Sequence, residues 1–366
     1  MNISKFTQKS LQAVQDLEKT AYEFGNQEVE QEHLLYNLLK QEDSLILKLI
    51  EKMEIQKEHF LNRVEQALNA RTKVSGGQPY IGQYLNKALD EIHPNIIKTA
   101  ALNLGFEAGL YSTKKIRKMR EVHECNIPWA ILIDPTSACN LRCKGCWAAE
   151  YGHKLSLSYD ELDNIITQGK ELGIYFYLYT GGEPLTRKDD LLKLCEKHND
   201  CEFHAFTNGT LIDDEFCKRV VDVGNFTMSV SIDGSKEVND ERRGEGVYDK
   251  IMTGMEKLKE YGILFGTSVC YTSQNVYSVT SDDFLDMLIE KCSRFIWYFH
   301  YMPVGNDAVP ALLPDPKQRE FMYHRIREIR RTKPIFAMDF QNDGEYVGGC
   351  IAGGRRYLHI NANGDV

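Results

Sequence analysis

The reading of this chain starts from Ile133-Asp-Pro-Thr-Ser-Ala-Cys139-Asn-Leu-Arg-Cys143-Lys-Gly-Cys146-Trp147. The apolar run 129–133 before it reads as a buried strand, which puts Cys139, Cys143 and Cys146 on the loop at its C-terminal end. A C-x3-C-x2-C spacing lets one loop turn three thiolates toward a common centre. Zinc would call for a fourth protein ligand, and Cys125, His123 and His153 stand only at irregular spacings. Three ligands with an open position suit an iron–sulfur cluster that keeps one iron free for a substrate.

Downstream of that loop the pattern is regular. Apolar runs at 130–133, 174–179, 202–206, 226–232, 264–271 and 295–301 predict strands, and helical periodicity occupies 158–172, 213–223, 247–261 and 282–291. Six strands alternating with helices imply a parallel sheet, open or closing toward a barrel, with its chemistry at the C-terminal strand ends. The conspicuous polar motifs fall there. Thr180-Gly181-Gly182-Glu183-Pro184 follows the second strand, Thr207-Asn208-Gly209 the third and Ser231-Ile-Asp233-Gly234 the fourth, with Arg243 beyond. Two glycines let backbone approach a ligand closely, and Glu183 supplies a carboxylate to a cation.

The cysteine loop at a first strand end resembles the radical S-adenosylmethionine (SAM) superfamily. The resemblance implies a partial (β/α)6 barrel and a 4Fe–4S cluster on Cys139, Cys143 and Cys146. The remaining iron would bind the amino and carboxylate groups of SAM, and one electron would cleave it to methionine and a 5′-deoxyadenosyl radical. By the same resemblance Gly181, Gly182, Glu183 and Pro184 receive the methionine amino group. Ser231 and Arg243 would receive its carboxylate, an anion to which a guanidinium fork is well shaped. Thr207, Asn208 and Asp233 are further candidates, with a turn-forming role as the alternative. The family usually carries an aromatic residue directly before the third cysteine, where this chain has Gly145, followed by Trp147.

The first third of the chain reads differently. Short amphipathic helices are expected from a Thr7 cap through Phe24, then over 30–39, 44–53 and 58–70, with a linker signal at 74–79. Phe6-Thr7, Ala21 and Val29-Glu-Gln-Glu-His33-Leu-Leu-Tyr-Asn-Leu-Leu39 resemble the N-terminal repeat domain of Clp-type chaperones. Only the first repeat is complete; a second opens at Gln78-Pro-Tyr-Ile and departs. No Gly-x4-Gly-Lys-Ser/Thr phosphate loop occurs, so the chaperone's ATPase motor is absent. His33, beside an apolar stripe, reads as a satisfied core residue. A helix over 92–110 then leads to Lys114, Lys115, Arg117, Lys118 and Arg120, read as a solvated face, with an anionic surface or substrate as the alternative.

At the far end, Cys350 to Gly364 resembles the opening of the SPASM or twitch extension, and the chain stops before the next cysteine, so no auxiliary cluster is expected from these residues alone. Cys195, Cys201, Cys217, Cys270 and Cys292 read as buried thiols. In the aromatic sixth strand, His300, Tyr301 and Met302 stand nearest the active end.

Composition bounds the function. The chain has 366 residues, 42% hydrophobic and 27% charged, long enough for two or three domains. A formal charge of −9 argues against general nucleic-acid binding. No apolar run reaches the roughly 18 residues of a membrane span, and the N-terminus does not read as a secretory signal. All ten cysteines lie at or after Cys125, a distribution that suits metal ligands and free thiols in a reducing cytoplasm. The expected organisation is a partial Clp-type unit (1–88), a helical lead-in (89–128), a radical SAM core (129–310) and a final helix with a clipped extension (311–366). The expected activity is reductive cleavage of SAM for modification of a substrate, peptide or protein favoured over a small molecule. A flavodoxin- or ferredoxin-type reductant would be its partner. The rival reading is a Clp-type substrate- or adaptor-binding module without ATPase activity.

Overall fold

The computed structural model describes residues 8–26, 29, 31–42, 45–70, 78–148, 152, 154–304 and 308–366. Thr7 and most of the 74–79 linker lie outside them, as does His153. The chain divides into two units, Met1–Gly82 and Gln83–Val366.

In the first unit, helices Gln8–Gln15, Leu17–Phe24, Gln31–Lys40, Leu45–Lys52 and Lys57–Ala70 surround a small core of Leu39, Ile50, Val64 and Leu68. His33 is fully buried there, its Nε2 3.0 Å from Asn26 Oδ1, and Asn26 Nδ2 donates to the Leu68 carbonyl. It is the satisfied core histidine that its apolar surroundings predict.

The second unit is one parallel sheet of eight strands. They are β1 (Ala130–Ile133), β2 (Phe176–Tyr179), β3 (Glu202–Thr207), β4 (Phe226–Ser231), β5 (Phe265–Tyr271), β6 (Phe295–His300), β7 (Phe336–Asp339) and β8 (Tyr357–Ile360). Their order, β7-β6-β5-β4-β3-β2-β1-β8, is an open half-barrel. The six expected strands are present, and two more extend the edges. β8 comes from the C-terminal tail and pairs in register with β1, Leu132 opposite His359 and Ile133 opposite Ile360.

Local signals start and stop the intervening helices. Ser158 and Glu161 form a reciprocal capping box ahead of helix Tyr159–Leu172, and Gly173, at φ 97°, ends it. Asp213 and Ser281 cap helices Asp214–Val223 and Asp282–Glu290. Strand residues pointing toward these helices, including Tyr177, Tyr179, Phe203, Phe226 and Phe265, are fully buried. Each such side chain contributes about 1.5–3 kcal/mol of burial.

The lead-in closes the N-terminal end of the sheet. The His93 amide donates to the Gly262 carbonyl, Asn95 Nδ2 to Val221, Asn103 Nδ2 to Asn199 and Cys201, and Lys115 Nζ to Lys170. These carbonyls all lie just before β5, β4, β3 and β2. The opposite end, where the strands finish, stays open.

Candidate active site

The cysteine loop and the Gly-Gly-Glu-Pro turn are built against each other. The Thr180 amide donates to the Ile133 carbonyl (2.9 Å), Gly182 to Thr136 (2.9 Å) and Glu183 to Ala138 (2.8 Å). A Cβ on Gly182 would stand 2.2 Å from the Ala138 carbonyl oxygen, and one on Gly181, at φ 96°, 2.8 Å from Thr136 O. Both glycines admit the backbone of the loop that carries the thiols.

Glu183 is 1% exposed and ties three strand ends together. Its Oε1 accepts from the Thr207 hydroxyl (2.6 Å) and the Leu185 amide (3.0 Å), and its Oε2 from the Asn208 amide (2.6 Å). Burial raises its pKa against the pull of these donors. Asn208 also reaches the cysteine loop, with Nδ2 2.8 Å from Asn140 Oδ1 and 4.0 Å from Cys139 Sγ. Thr207 thus joins β3 to Glu183, and Asn208 joins it to both Glu183 and the cysteine loop.

Asp233 is fully buried. Its Oδ2 accepts from Arg242 (2.6 Å) and Arg243 (2.7 Å), and its Oδ1 from the Cys270 amide (3.1 Å). Burial would raise its pKa, but the two guanidinium groups hold it down to about 2. Asp233 therefore orients the arginines instead of facing a ligand. Arg243 engages it through Nε alone, and neither its terminal nitrogens nor Ser231 Oγ has a hydrogen-bond partner among the described residues.

The three thiols lie within electrostatic reach of one another. Burial, Glu183 and the other two thiols push Cys139 up to about 11, and burial raises Cys143 against the opposing charges of Arg243 and Arg242. They are not closed onto one point: among the described residues no three His, Cys, Asp or Glu side chains stand at metal-holding separation. Burial favours the neutral thiols of Cys139 and Cys143, so a metal centre would have to displace their protons as it forms. The chemistry of the donor set, three thiols on one loop whose neighbouring carboxylates Glu183 and Asp233 are already engaged by hydrogen bonds, fits a cluster with one open corner.

Three residues have a larger place at the mouth than the sequence reading gives them: Arg242, which it does not name, Tyr301, named only as near the active end, and Cys270, named only as a buried thiol. Arg242 lends its carbonyl to the Lys144 amide (2.8 Å) inside the cysteine loop, and Asp233, Cys270 and Cys143 more than offset burial in holding its charge. Its position beside Arg243 is the signal that could have found it. Tyr301, 2% exposed, lays its ring on the cysteine loop: a Cβ on Gly145, at φ 67°, would stand 2.7 Å from its hydroxyl. That hydroxyl accepts from the Val309 amide. The space beside Gly145 is thus filled by an aromatic ring from the end of β6. Cys270, expected buried, is part-exposed and close enough to Cys146 to feel its charge. His300 instead lines a separate cavity with Leu313, Arg319 and Tyr323, and Met302 is exposed.

Comparison with known sequences follows this geometry. The radical SAM superfamily profile matches residues 133–288, the stretch that carries every element of the mouth through Cys270. Residues 133–288 are a radical SAM domain. Residues 5–95 match the Clp repeat (R) N-terminal domain. A relative of the radical SAM part is the Fe-coproporphyrin III synthase of Methanosarcina barkeri, 34% identical over 225 residues, 58% of this chain and 56% of that one. The front of the chain is 39% identical over 94 residues to the chaperone protein ClpB of Nitratidesulfovibrio vulgaris, 24% of this chain and 11% of ClpB. Streptococcus suis SuiB bound to its precursor peptide SuiA shares the fold, with a TM-score of 0.57 and 18% identity over 92% of this chain and 76% of that one. The chain spans between about half and three-fifths of the length of such curated radical SAM relatives.

Proposed function

We propose that this radical SAM chain cleaves SAM reductively and uses the radical so released to modify a peptide or protein. The observation that carries the reading is the joint construction of the mouth: the cysteine loop, the Gly-Gly-Glu-Pro turn and the Asp233-anchored arginine pair share hydrogen bonds. Cys139, Cys143 and Cys146 would hold a 4Fe–4S cluster. When bound, such a cluster supplies the electron that splits SAM into methionine and a hydrogen-abstracting carbon radical.

The chain's own residues position the reactants. Arg243 offers its terminal nitrogens, and Ser231 its hydroxyl, to the SAM carboxylate, with Asp233 fixing the guanidinium plane. Glu183, already accepting three hydrogen bonds, has room for a further donor, the SAM amino group. Aromatic rings line the sheet's concave side, Trp297 and Phe299 stacked and Phe206 edge-on to both, and keep water from the path of a radical. A flavodoxin- or ferredoxin-type protein would deliver the electron. The Clp-type unit would recruit the substrate or an adaptor.

Identity to Fe-coproporphyrin III synthase supports a second substrate class, a tetrapyrrole. The test is anaerobic reconstitution followed by dithionite-dependent formation of 5′-deoxyadenosine, which Cys143→Ala should abolish along with the brown cluster absorption. Cleavage that persists in Cys143→Ala would end the proposal. Stimulation of cleavage by candidate peptides or by coproporphyrins separates the two substrate classes.

A further inference from the structure

The end of the barrel opposite the cysteine loop carries a surface that takes no part in that chemistry. Residues Ala101–Tyr111 are wound as a π-helix that continues into helix Ser112–His123. One side of this rod plugs the barrel: Asn103, Ala108, Ser112 and Ile116 are buried, and Ala108 accepts from Trp129 Nε1 at 2.7 Å. The other side faces water with large apolar groups, Leu102 at 51% exposure, Phe106 at 53%, Leu110 at 66% and Tyr111 at 44%. Leu102, Phe106 and Leu110 recur every fourth residue, close to one turn of a helix with i→i+5 bonding, and Tyr111 flanks the last of them.

Lys114 and Lys118 continue that row into the next helix, with Arg117 beside them. Lys115 and Arg120 are occupied by the carbonyls of Lys170 and Ile127. Lys114, Arg117 and Lys118 have neither an ion pair nor a side-chain hydrogen bond among the described residues. Five cations and only two carboxylates, Glu107 and Glu121, lie between residues 101 and 123 of a chain whose formal charge is −9. An apolar row continued by unpaired cations is the pattern of a segment that lies in the interface of a negatively charged bilayer.

We infer that the exposed row of residues 102–118 is a docking surface for an anionic lipid membrane. Leu102, Phe106 and Leu110 enter the acyl boundary while Lys114, Arg117 and Lys118 meet the lipid phosphates. Because the rod closes the N-terminal end of the sheet, docking leaves the reactive mouth facing away from the lipid, open to substrate and reductant from water. The attachment is peripheral, since no helix among the described residues is long and apolar enough to cross a membrane.

The test is sedimentation of the full chain with vesicles of phosphatidylcholine alone or mixed equally with phosphatidylglycerol. The chain should pellet with the anionic vesicles, stay in solution with the neutral ones, and be released by added salt. Replacing both Lys114 and Lys118 by Gln should weaken partitioning about 25-fold, since each cation near such a surface is worth about fivefold. Leu110→Ser should weaken binding too, whereas Lys218→Gln, on another helix, should not. Equal pelleting with both vesicle types, no pelleting with either, or variants that bind like the parent would overturn the inference. So would a concentration-dependent dimer that Leu110→Ser abolishes, since the row would then belong to a second copy. Matching circular dichroism melts exclude misfolding of the variants.

Discussion

Gly182→Ala isolates the closest contact in the mouth. Gly182 is not among the glycines with positive φ, so alanine meets no backbone strain there; its only obstacle is space. The new methyl would lie 2.2 Å from the Ala138 carbonyl oxygen and 2.6 Å from Ser137 O, both backbone atoms that cannot swing aside. Ordinary carbon contacts need about 3.5 Å, so the turn and the cysteine loop must part by more than ~1 Å. That separation breaks the hydrogen bonds from Gly182 to Thr136 and from Glu183 to Ala138. Two such bonds at about 0.5–1.5 kcal/mol each, plus about 1–3 kcal/mol of overpacking, predict a loss of about 2–6 kcal/mol. The assays are urea unfolding of the barrel transition and iron bound per chain after reconstitution; both should fall. Gly105→Ala is the control, since a Cβ there meets nothing within 4 Å. An unchanged midpoint with full iron loading in Gly182→Ala would refute the account of why glycine stands at 182.

Two further outcomes follow from buried charges. Asp233→Asn keeps an acceptor for the Cys270 amide but leaves two buried guanidinium groups without their counter-ion. It should cost about 3–5 kcal/mol and weaken SAM binding at least tenfold, measured by calorimetry on the reconstituted protein. Glu202, 1% exposed on β3 with Oε2 lacking a partner, is raised by burial to about 8 from an ordinary 4.5. Its folded form holds the proton that the unfolded chain releases, so its contribution is full below about pH 4.5 and is lost as pH rises toward 8. Glu202→Gln should therefore stabilise the barrel on the order of a few kcal/mol at pH 8 and hardly at all at pH 4.5, read as the difference between thermal melts.

Much of the architecture was legible along the chain because its signals are local. The runs of β1, β2 and β6 are nearly continuous apolar segments, as strands buried on both faces should be, β4 alternates Phe226, Met228 and Val230 with small hydroxyl residues, and the helices carry their own caps, such as Ser158 with Glu161. β7 and β8 were not, for a physical reason. β7 (Phe336–Asp339) ends on a carboxylate and has no continuous apolar run like those of β1 and β2, and β8 sits in a glycine- and asparagine-rich tail whose strand character comes from pairing with β1. The rod over residues 101–111 was expected as an ordinary helix, and nothing in its periodicity announced i→i+5 winding.

For the site, spacing named the three thiols and the Gly-Gly-Glu-Pro turn, because each motif is contiguous at a strand end, and the family resemblance added Arg243. What each one does was set by contacts across the fold. Gly182 is small because another loop's carbonyl stands 2.2 Å from where its Cβ would be, and Asp233 is carboxylate because two arginines, nine and ten residues on, converge on one oxygen. Tyr301 lies 156 positions from Gly145 and carries no motif, yet its ring fills that glycine's empty side. The sequence determined which reactive groups exist and which strand ends carry them, since those follow from periodicity and chemistry within a few residues. Only the tertiary structure decided which groups meet, because distances between strand ends depend on sheet order and loop approach, and neither is written in the residues flanking each motif.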